Sequence, residues 1–321
     1  MGETPAGGGK RGCFRLGCYG CLGVLALIVI GAAVLVGLNL MVGRREPKQE
    51  RRELSRQVPK AAPPSSPAGV APSTLESPEL RSASRGRLVL DVSIGTFSIV
   101  AGPEGQPIRV EGEYDTAAYE LTDNYTEGPA GWTDEVMFRR KGGWLLHMFD
   151  HEARNHVRIV VPRGVPFALE GSIGTGESRL ELGGLWIVRT DLKLGVGEHR
   201  VSFSEPAPLP QEEFLLDASI GELGVRQLGN ASPRTVKIGH RIGDVELDLS
   251  GGWSRDAQIQ AECGIGECRL HVPEDVGLEV TDSALMLGEH RTPTRSRAPG
   301  RPGGPTLHLS VKGQVGELSV D

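Results

Sequence analysis

A phrase of one aliphatic residue, one glycine and one acid or threonine recurs eight times in this chain of 321 residues. Its glycines are Gly95, Gly174, Gly197, Gly221, Gly243, Gly266, Gly288 and Gly316. Successive glycines are 79, 23, 24, 22, 23, 22 and 28 residues apart, so the last seven share one register. A unit of this length cannot bury its apolar face alone, and copies of it must stack on one another.

The residues around each glycine alternate with a period of two, which is the strand period. Apolar residues dominate the positions five before and four after the glycine, and the position directly before it is always aliphatic. This pattern predicts that all three positions face inward, and that each unit is a strand, a glycine bend at positive φ and a second strand. We therefore expect an all-β fold, a single-stranded parallel β-helix with coils of about 22–24 residues.

Residues 21–43 contain no charged side chain and are mostly Leu, Val, Ile, Ala and Gly. A helix of this length would span a hydrocarbon core of about 30 Å. The run is too long for the core of a signal peptide, and no lipoprotein cysteine follows it. The sequence predicts a short tail over residues 1–20 and one uncleaved transmembrane helix over residues 21–43.

Residues 44–86 are rich in Pro, Ser and Ala and contain few large apolar side chains. Such a segment cannot bury enough surface to fold, so we expect a disordered spacer. The β-helix domain is predicted over residues 87–321. Within it, residues 101–168 form an elaborated first part with a loop over 114–134, and residues 293–305 form an exposed loop.

The sequence does not decide on which side of the membrane this domain lies. Basic residues are more numerous after the span than before it, which by the positive-inside rule places the domain in the cytoplasm. The proline-rich spacer and a β-rich domain with only two cysteines favour an extracytoplasmic domain. We expect a single-pass cell-membrane protein and favour the extracytoplasmic orientation.

An acid follows the bend glycine in six units: Glu198, Glu222, Asp244, Glu267, Glu289 and Glu317. Stacked about 4.8 Å apart, such carboxylates repel one another by about 1 kcal/mol in water, so they would attract a cation or a cationic peptide. Alternatively, the acids accept turn hydrogen bonds and keep the surface soluble, with Arg200, Arg269 and Arg291 compensating their charge.

Two further groups of residues have ligand or redox chemistry. His147, His151 and His156, together with Glu152, are weak metal candidates, because the flanking strand-like residues favour a surface loop over the helix that metal binding would require. Cys263 and Cys268 flank Gly266. They are either a disulfide across the bend in an oxidising compartment or two reduced cysteines in or near the core.

Catalytic signals are absent from the sequence. It contains no nucleophile elbow, phosphate loop or zinc motif, so we predict no catalytic residue and no cofactor. The net charge of −6 and the scattered basic residues argue against nucleic acid as a partner. A polysaccharide lyase would need long loops with clustered acids over a cleft, which makes an enzyme the remote alternative.

The C-terminal half carries a family resemblance. Residues 237–280 read KIGHRIGDVELDLSGG, a short polar link, and CGIGECRLHVPEDVGLEV, and the chain closes with LHLSV and VGEL. This order of motifs resembles the C-terminal domain of LiaF-type cell-envelope stress proteins. Residues 88–321 as a whole resemble the toastrack β-helix modules of membrane-anchored bacterial envelope proteins. The resemblance implies a non-catalytic domain that restrains a sensor kinase, although LiaF-type proteins carry several transmembrane helices where this chain has one.

The sequence therefore predicts a binding or assembly platform at the cell envelope, with a role in envelope-stress sensing or signalling. Its expected partners are the membrane, an envelope protein or sensor complex, and further copies of the chain joined through the strand edges of a terminal coil at residues 311–321. The alternatives are an extracytoplasmic adhesin or polysaccharide-binding protein, and a cytoplasmic regulator of a membrane sensor.

Overall fold

The computed structural model describes residues 49–56, 86–128, 131–142, 155–291, 296–298 and 302–321. Strands dominate this part of the chain, with one 3-10 turn at Leu228–Asn230. The strands, in chain order, are β1 (Gln49–Arg56), β2 (Gly86–Gly102), β3 (Ile108–Asp115), β4 (Tyr119–Gly128), β5 (Gly131–Arg140), β6 (His156–Pro162), β7 (Phe167–Glu181), β8 (Ile187–Ser202), β9 (Glu213–Arg226), β10 (Thr235–Asp248), β11 (Ala257–His271), β12 (Gly277–Arg291) and β13 (Thr306–Val320).

Strands β7 to β11 stack in chain order with parallel pairing, and each is one long strand bent at a glycine. Like residues lie side by side: Leu192, Leu216, Ile238 and Ala261 are register partners and all are buried. The all-β prediction is confirmed, and the stacking of repeated units follows the predicted solenoid.

One unit lies two residues out of the predicted register. Gly176, and not Gly174, pairs with Gly95 and Gly197, and Gly176 is the residue with positive φ. The reason is the core: this register places Leu180 beside Ile99 and Val201, where all three are buried. The predicted bend at Gly174 was therefore wrong.

The first turns of the stack do not follow chain order. β2 lies between β7 on one side and two shorter strands on the other, β5 along its first half and β6 along its second. β4 pairs with β5, and β3 with β6, both antiparallel. The predicted loop over residues 114–134 was wrong, because β4 lies within it and Leu121 and Trp132 are buried there.

The segment assigned to the spacer contains a strand. β1 pairs antiparallel with the free edge of β3, and Leu54 packs against the core. Disorder over the whole of 44–86 was thus an incorrect prediction at Gln49–Arg56, where an open sheet edge supplies backbone partners that composition does not reveal. Residues 57–85 lie outside the described residues, as does the predicted span at 21–43. Within the described part of the chain, no helix is long and apolar enough to cross a membrane.

The last two strands exchange places. β13 lies between β11 and β12, so β12 and not the terminal coil at residues 311–321 is the outer strand. The inward side chains of β13 include Leu309, Val311 and Leu318, all fully buried, whereas β12 has Ser283 and His290 at matching places. The more apolar strand takes the position that is covered on both sides. The predicted edge at residues 311–321 was therefore wrong.

Part of the predicted exposed loop at 293–305 is held against the domain. Arg297 exchanges two backbone hydrogen bonds of 2.8 Å with Leu278. Its guanidinium also donates to the carbonyl oxygen of Pro273 at 2.5 Å. Residues 296–298 therefore cover the start of β12.

Candidate binding surface

The aliphatic residues that precede the bend glycines face solvent. They form an aliphatic column on the outside of the bends, exposed between 40% at Ile94 and 68% at Leu287, with Thr175 at the same place on β7. In spatial order from β2 to β12 the column contains Ile94, Thr175, Val196, Ile220, Ile242, Ile265, Val315 and Leu287. The prediction that this position faces inward was wrong, because the glycine bend interrupts strand alternation and turns the preceding side chain outward.

The acids that follow the glycines stack as predicted and include one further member. In spatial order from β7 to β12 this acid column contains Glu177, Glu198, Glu222, Asp244, Glu267, Glu317 and Glu289. Glu177 was not predicted, because the repeat units were aligned on Gly174 as the bend glycine. The dipeptide Gly176–Glu177 has the same pattern as the other units, and the burial of Leu180 shows that Gly176 is the bend glycine. We call the two columns together the bend surface.

The glycines between the columns hold the surface in shape. Their φ values lie between 124° at Gly221 and 146° at Gly197, which L residues rarely adopt. From Gly176 onward, a Cβ on any bend glycine would lie 1.7 to 2.0 Å from the carbonyl oxygen of the next glycine in the stack. A side chain fits at none of these places, so the two columns are separated by bare backbone.

Arginines compensate most of the acid column. Arg179 lies 3.1 Å from Glu177, and Arg291 lies 2.6 Å from Glu289 and 3.3 Å from Glu317. Arg200 and Arg269 likewise pair with Glu198 and Glu267. These pairs are largely exposed, so each contributes little to stability, but together they neutralise both ends of the column.

Compensation fails in the middle of the column, on β9 and β10. A shallow groove of about 240 Å³ opens there. Its lining includes the acids Glu222, Asp244 and Glu246 and also the arginines Arg200, Arg226 and Arg269. In the described residues Glu222 makes no ion pair or hydrogen bond, and Asp244 only accepts the backbone N–H of Glu267 at 3.1 Å.

A buried serine–histidine pair lies beneath this groove. Ser178 Oγ is 2.9 Å from His199 Nδ1, and both side chains are buried. Burial lowers the pKa of His199, and repulsion from His240 lowers it further. Nε2 of His199 has no hydrogen-bond partner among the described residues, so no acid orients the ring as a catalytic base requires. We read the pair as part of the core.

The predicted metal candidates do not come together in the described residues. His147, His151 and Glu152 lie outside them, and His156 is exposed at the start of β6. Where the structure does describe the chain, no three His, Cys, Asp or Glu side chains are placed to hold a metal ion.

Cys263 and Cys268 form a disulfide across the bend of β11. Cys268 is buried and lies beside Val245 and Leu318, while Cys263 lies beside His240. The bridge joins the two arms of one coil inside the bend, which is the first of the two alternatives that the sequence left open.

Comparison with known proteins identifies the family. Residues 67–225 match the N-terminal domain of toast_rack, DUF2154. This part of the chain belongs to the toast-rack family, and the match lies N-terminal to the motifs at 237–280 that carried the resemblance. A search of the curated proteins finds no match.

Solved structures show a distant likeness. The chain is 14% identical to a candidate cell adhesion protein of Clostridium sporogenes, covering 84% of this chain and 99% of that one, with a TM-score of 0.41. It is 9% identical to a candidate adhesin of Bacteroides fragilis, covering 85% and 99% of the two chains, with a TM-score of 0.34.

Proposed function

We propose that this protein is a non-catalytic module that binds another protein along the bend surface. The observation that carries the proposal is the aliphatic column. Six of its residues, on β2, β8, β9, β10, β11 and β13, are Ile or Val exposed between 40% and 50%. Soluble proteins rarely expose apolar side chains in one long line, and such patches mark interaction sites.

A docked partner would gain binding free energy by covering this column, because apolar side chains would be removed from water. Its eight positions repeat about 4.8 Å apart, so the line extends over about 34 Å. Acids run beside it for most of this length, which favours a partner with basic residues next to apolar ones. The LiaF-type resemblance makes a component of a membrane sensor complex one such partner.

Site-specific crosslinking in cells tests the proposal. A photoreactive amino acid replaces Ile242 in the full chain, and the control replaces Glu274, which is exposed in the link between β11 and β12. We expect a discrete protein adduct from position 242 and none from position 274. Equal adducts from both positions, or no adduct from position 242, would contradict a docking role for the bend surface.

We propose that the domain lies outside the cytoplasm and is attached through residues 21–43. The uncharged run supports the anchor, and the Cys263–Cys268 disulfide supports an oxidising compartment, because cytosolic thiols stay reduced. Reporters fused after Lys60 test the orientation. An exported reporter agrees with this orientation, and a reporter active only in the cytoplasm overturns it.

Self-association is a second candidate function, and the outer strand β12 favours it. Among the described residues, one long edge of β12 is met only by the bridge between Leu278 and Arg297. The edge includes Met286 and Leu287, exposed at 83% and 68%. Residues 283–288 carry no charge, although charges are the usual protection of a sheet edge.

Sedimentation of the full chain tests this second function. Two chains joined through β12 should dissociate on dilution, and Met286→Lys should shift the equilibrium to monomer. Lys237→Met, an exposed change on β10, which does not pair with β12, serves as the control. A wild-type chain that stays monomeric at high concentration would rule the candidate out.

A further inference from the structure

The aliphatic column stands between two rows of small or absent side chains. The bend glycines run along one side of it. Along the other side runs a bare groove, formed by the residue directly before each aliphatic one. On five of the eight strands this residue is glycine or serine: Ser93, Gly174, Gly195, Ser219 and Gly264. The other three strands carry Arg241, Gln314 and Met286 there.

The backbone of the neighbouring coil keeps this groove bare. A Cβ on Gly174 would lie 2.1 Å from the carbonyl oxygen of Ser93, and a Cβ on Gly195 would lie 2.2 Å from that of Gly174. At Gly264 the distance to the carbonyl oxygen of Arg241 would be 2.0 Å. A side chain fits at none of these three places. The aliphatic column is therefore a ridge with a groove running beside it.

The spacing of the column selects the kind of partner that can follow it. Successive aliphatic side chains repeat about every 4.8 Å, because each belongs to the next coil. Side chains on one face of a single strand repeat about every 6.7 Å, and those on one face of a helix about every 5.4 Å. Over the whole column a helix would fall about 4 Å out of step and a strand about 13 Å. A second stack of coils keeps the same spacing throughout.

The area of the column suits a pair of copies. Seven of its residues are exposed between 40% and 68%, and Thr175 is exposed at the eighth position. Together they expose on the order of 700 Å² per copy, close to the roughly 800 Å² that each partner contributes to a specific interface of standard size. Two copies can therefore bury enough apolar surface on one another for a stable contact.

The acid column decides how two copies would be oriented. It lies on one side of the aliphatic column, and the bare groove lies on the other. If a two-fold axis runs along the stack, each aliphatic column enters the groove of the other copy, and the two acid columns lie at opposite rims. If the axis runs across the stack, acid column faces acid column, which like charges oppose. The groove side carries basic as well as acidic residues, including the exposed Lys193 and Arg241, so the first arrangement avoids this repulsion.

We propose that the partner of the bend surface is a second copy of this chain. The two copies pack side by side with their stacks running in the same direction, and the aliphatic column of each lies in the bare groove of the other. Such a two-fold contact closes on itself and forms a dimer. This inference rests on the proposed function and names its partner, and it uses a different surface from the edge of β12.

Sedimentation equilibrium of the purified full chain in detergent tests the contact. Ile220→Glu places a charge in the column of both copies and should raise the dissociation constant of the dimer about 10- to 100-fold. Leu215→Glu is the matched control, because Leu215 is a half-buried residue on the outer face of the same strand, away from the bend surface. It should change the dissociation constant less than about threefold.

Three results of this measurement would overturn the proposal. The first is an equal effect of the two variants, and the second is a wild-type chain that stays monomeric at high concentration. The third is a dimer that Met286→Lys dissociates and Ile220→Glu does not, because the copies would then be joined through the edge of β12.

Crosslinking in cells separates this inference from the proposed function. Full chains with two different tags are produced together, each with a photoreactive amino acid at position 242. We expect an adduct that contains both tags. An adduct of one chain with a different protein would overturn the second copy as the partner and leave the proposed function standing, whereas the absence of any adduct would contradict both.

The attachment site within the adduct tests the orientation. A photoreactive residue at position 196, on β8, should join the second copy near its own residues 195–197. Stacks running in opposite directions would join position 196 to residues near 265, on β11, because the column would then be read from the other end. Peptide mapping by mass spectrometry tells the two apart, and attachment near 265 would overturn the proposed arrangement.

Discussion

A methyl group on Gly243 would lie 1.9 Å from the carbonyl oxygen of Gly221. Gly243 also has a φ of 124°, which strains any L residue. Gly243→Ala should therefore lower the free energy of unfolding by more than about 3 kcal/mol, because both the backbone strain and the clash must be relieved by separating two coils. Chemical denaturation measures this loss.

Gly224→Ala is the control for that prediction. Gly224 lies on the neighbouring strand at ordinary φ, and its Cβ would meet nothing closer than 3.9 Å. This variant should change the free energy of unfolding by less than about 1 kcal/mol. Comparable losses in the two variants would mean that the glycine column is not what holds the bends together.

Stability should fall in mild acid because of two buried histidines. Burial lowers the pKa of both His199 and His240, although a hydrogen bond to the Gly221 backbone and the charge of Asp244 partly oppose the shift at His240. Below about pH 6.5 the unfolded chain takes up protons that the folded chain does not, so the free energy of unfolding decreases as the pH falls. The decrease is at most about 1.4 kcal/mol per pH unit for each histidine.

Denaturation at several pH values from about 5 to 8 checks the acid effect. His199→Asn keeps a hydrogen-bonding group near Ser178 but does not titrate, so it should reduce the slope below about pH 6.5. The slope above about pH 7 should not change. A variant slope equal to that of the wild type would assign the acid effect to other groups.

A buried hydrogen bond links two coils through Thr190 and Gln211. Gln211 Nε2 donates to Thr190 Oγ1 at 2.6 Å, and both side chains are buried. Thr190→Val leaves the amide without this acceptor and should cost about 1–3 kcal/mol of unfolding free energy. Adding Gln211→Leu should recover part of that loss, because both polar groups are then gone. Strictly additive losses in the double variant would show that the bond does not couple the coils.

Much of the fold follows from the glycine spacing. Residues such as Leu216 and Val225, on the two arms of one unit, stay buried only if successive units stack in one register. The structure shows this register. The order of the strands at the two ends of the stack does not follow from this spacing. The exchange of β12 and β13 could be predicted only by comparing how apolar the two whole strands are. The pairing of β1 could not be predicted from local sequence, because it depends on an open edge of β3.

The surface was harder to predict than the core. Strand alternation gives the direction of each side chain only while φ stays extended, and the bend at Gly243 reverses it: Ile242 faces solvent although Ile238 on the same strand is buried. The lack of an arginine at Gly224 could also not be recognised from the sequence. It becomes meaningful only once the register shows that Arg200 and Arg269 occupy the equivalent positions on nearby strands.

The central claim is that the aliphatic column serves a partner and not the fold. Ile242→Thr and Ile238→Thr test it as a matched pair on one strand, exposed at 46% and 2% respectively. Ile242→Thr should change the free energy of unfolding by no more than about 0.5 kcal/mol, while Ile238→Thr should cost about 2–4 kcal/mol. The Ile242→Thr chain should also lose the crosslink from a photoreactive residue at position 220. A loss of more than about 2 kcal/mol from Ile242→Thr, with crosslinking unchanged, would contradict the account.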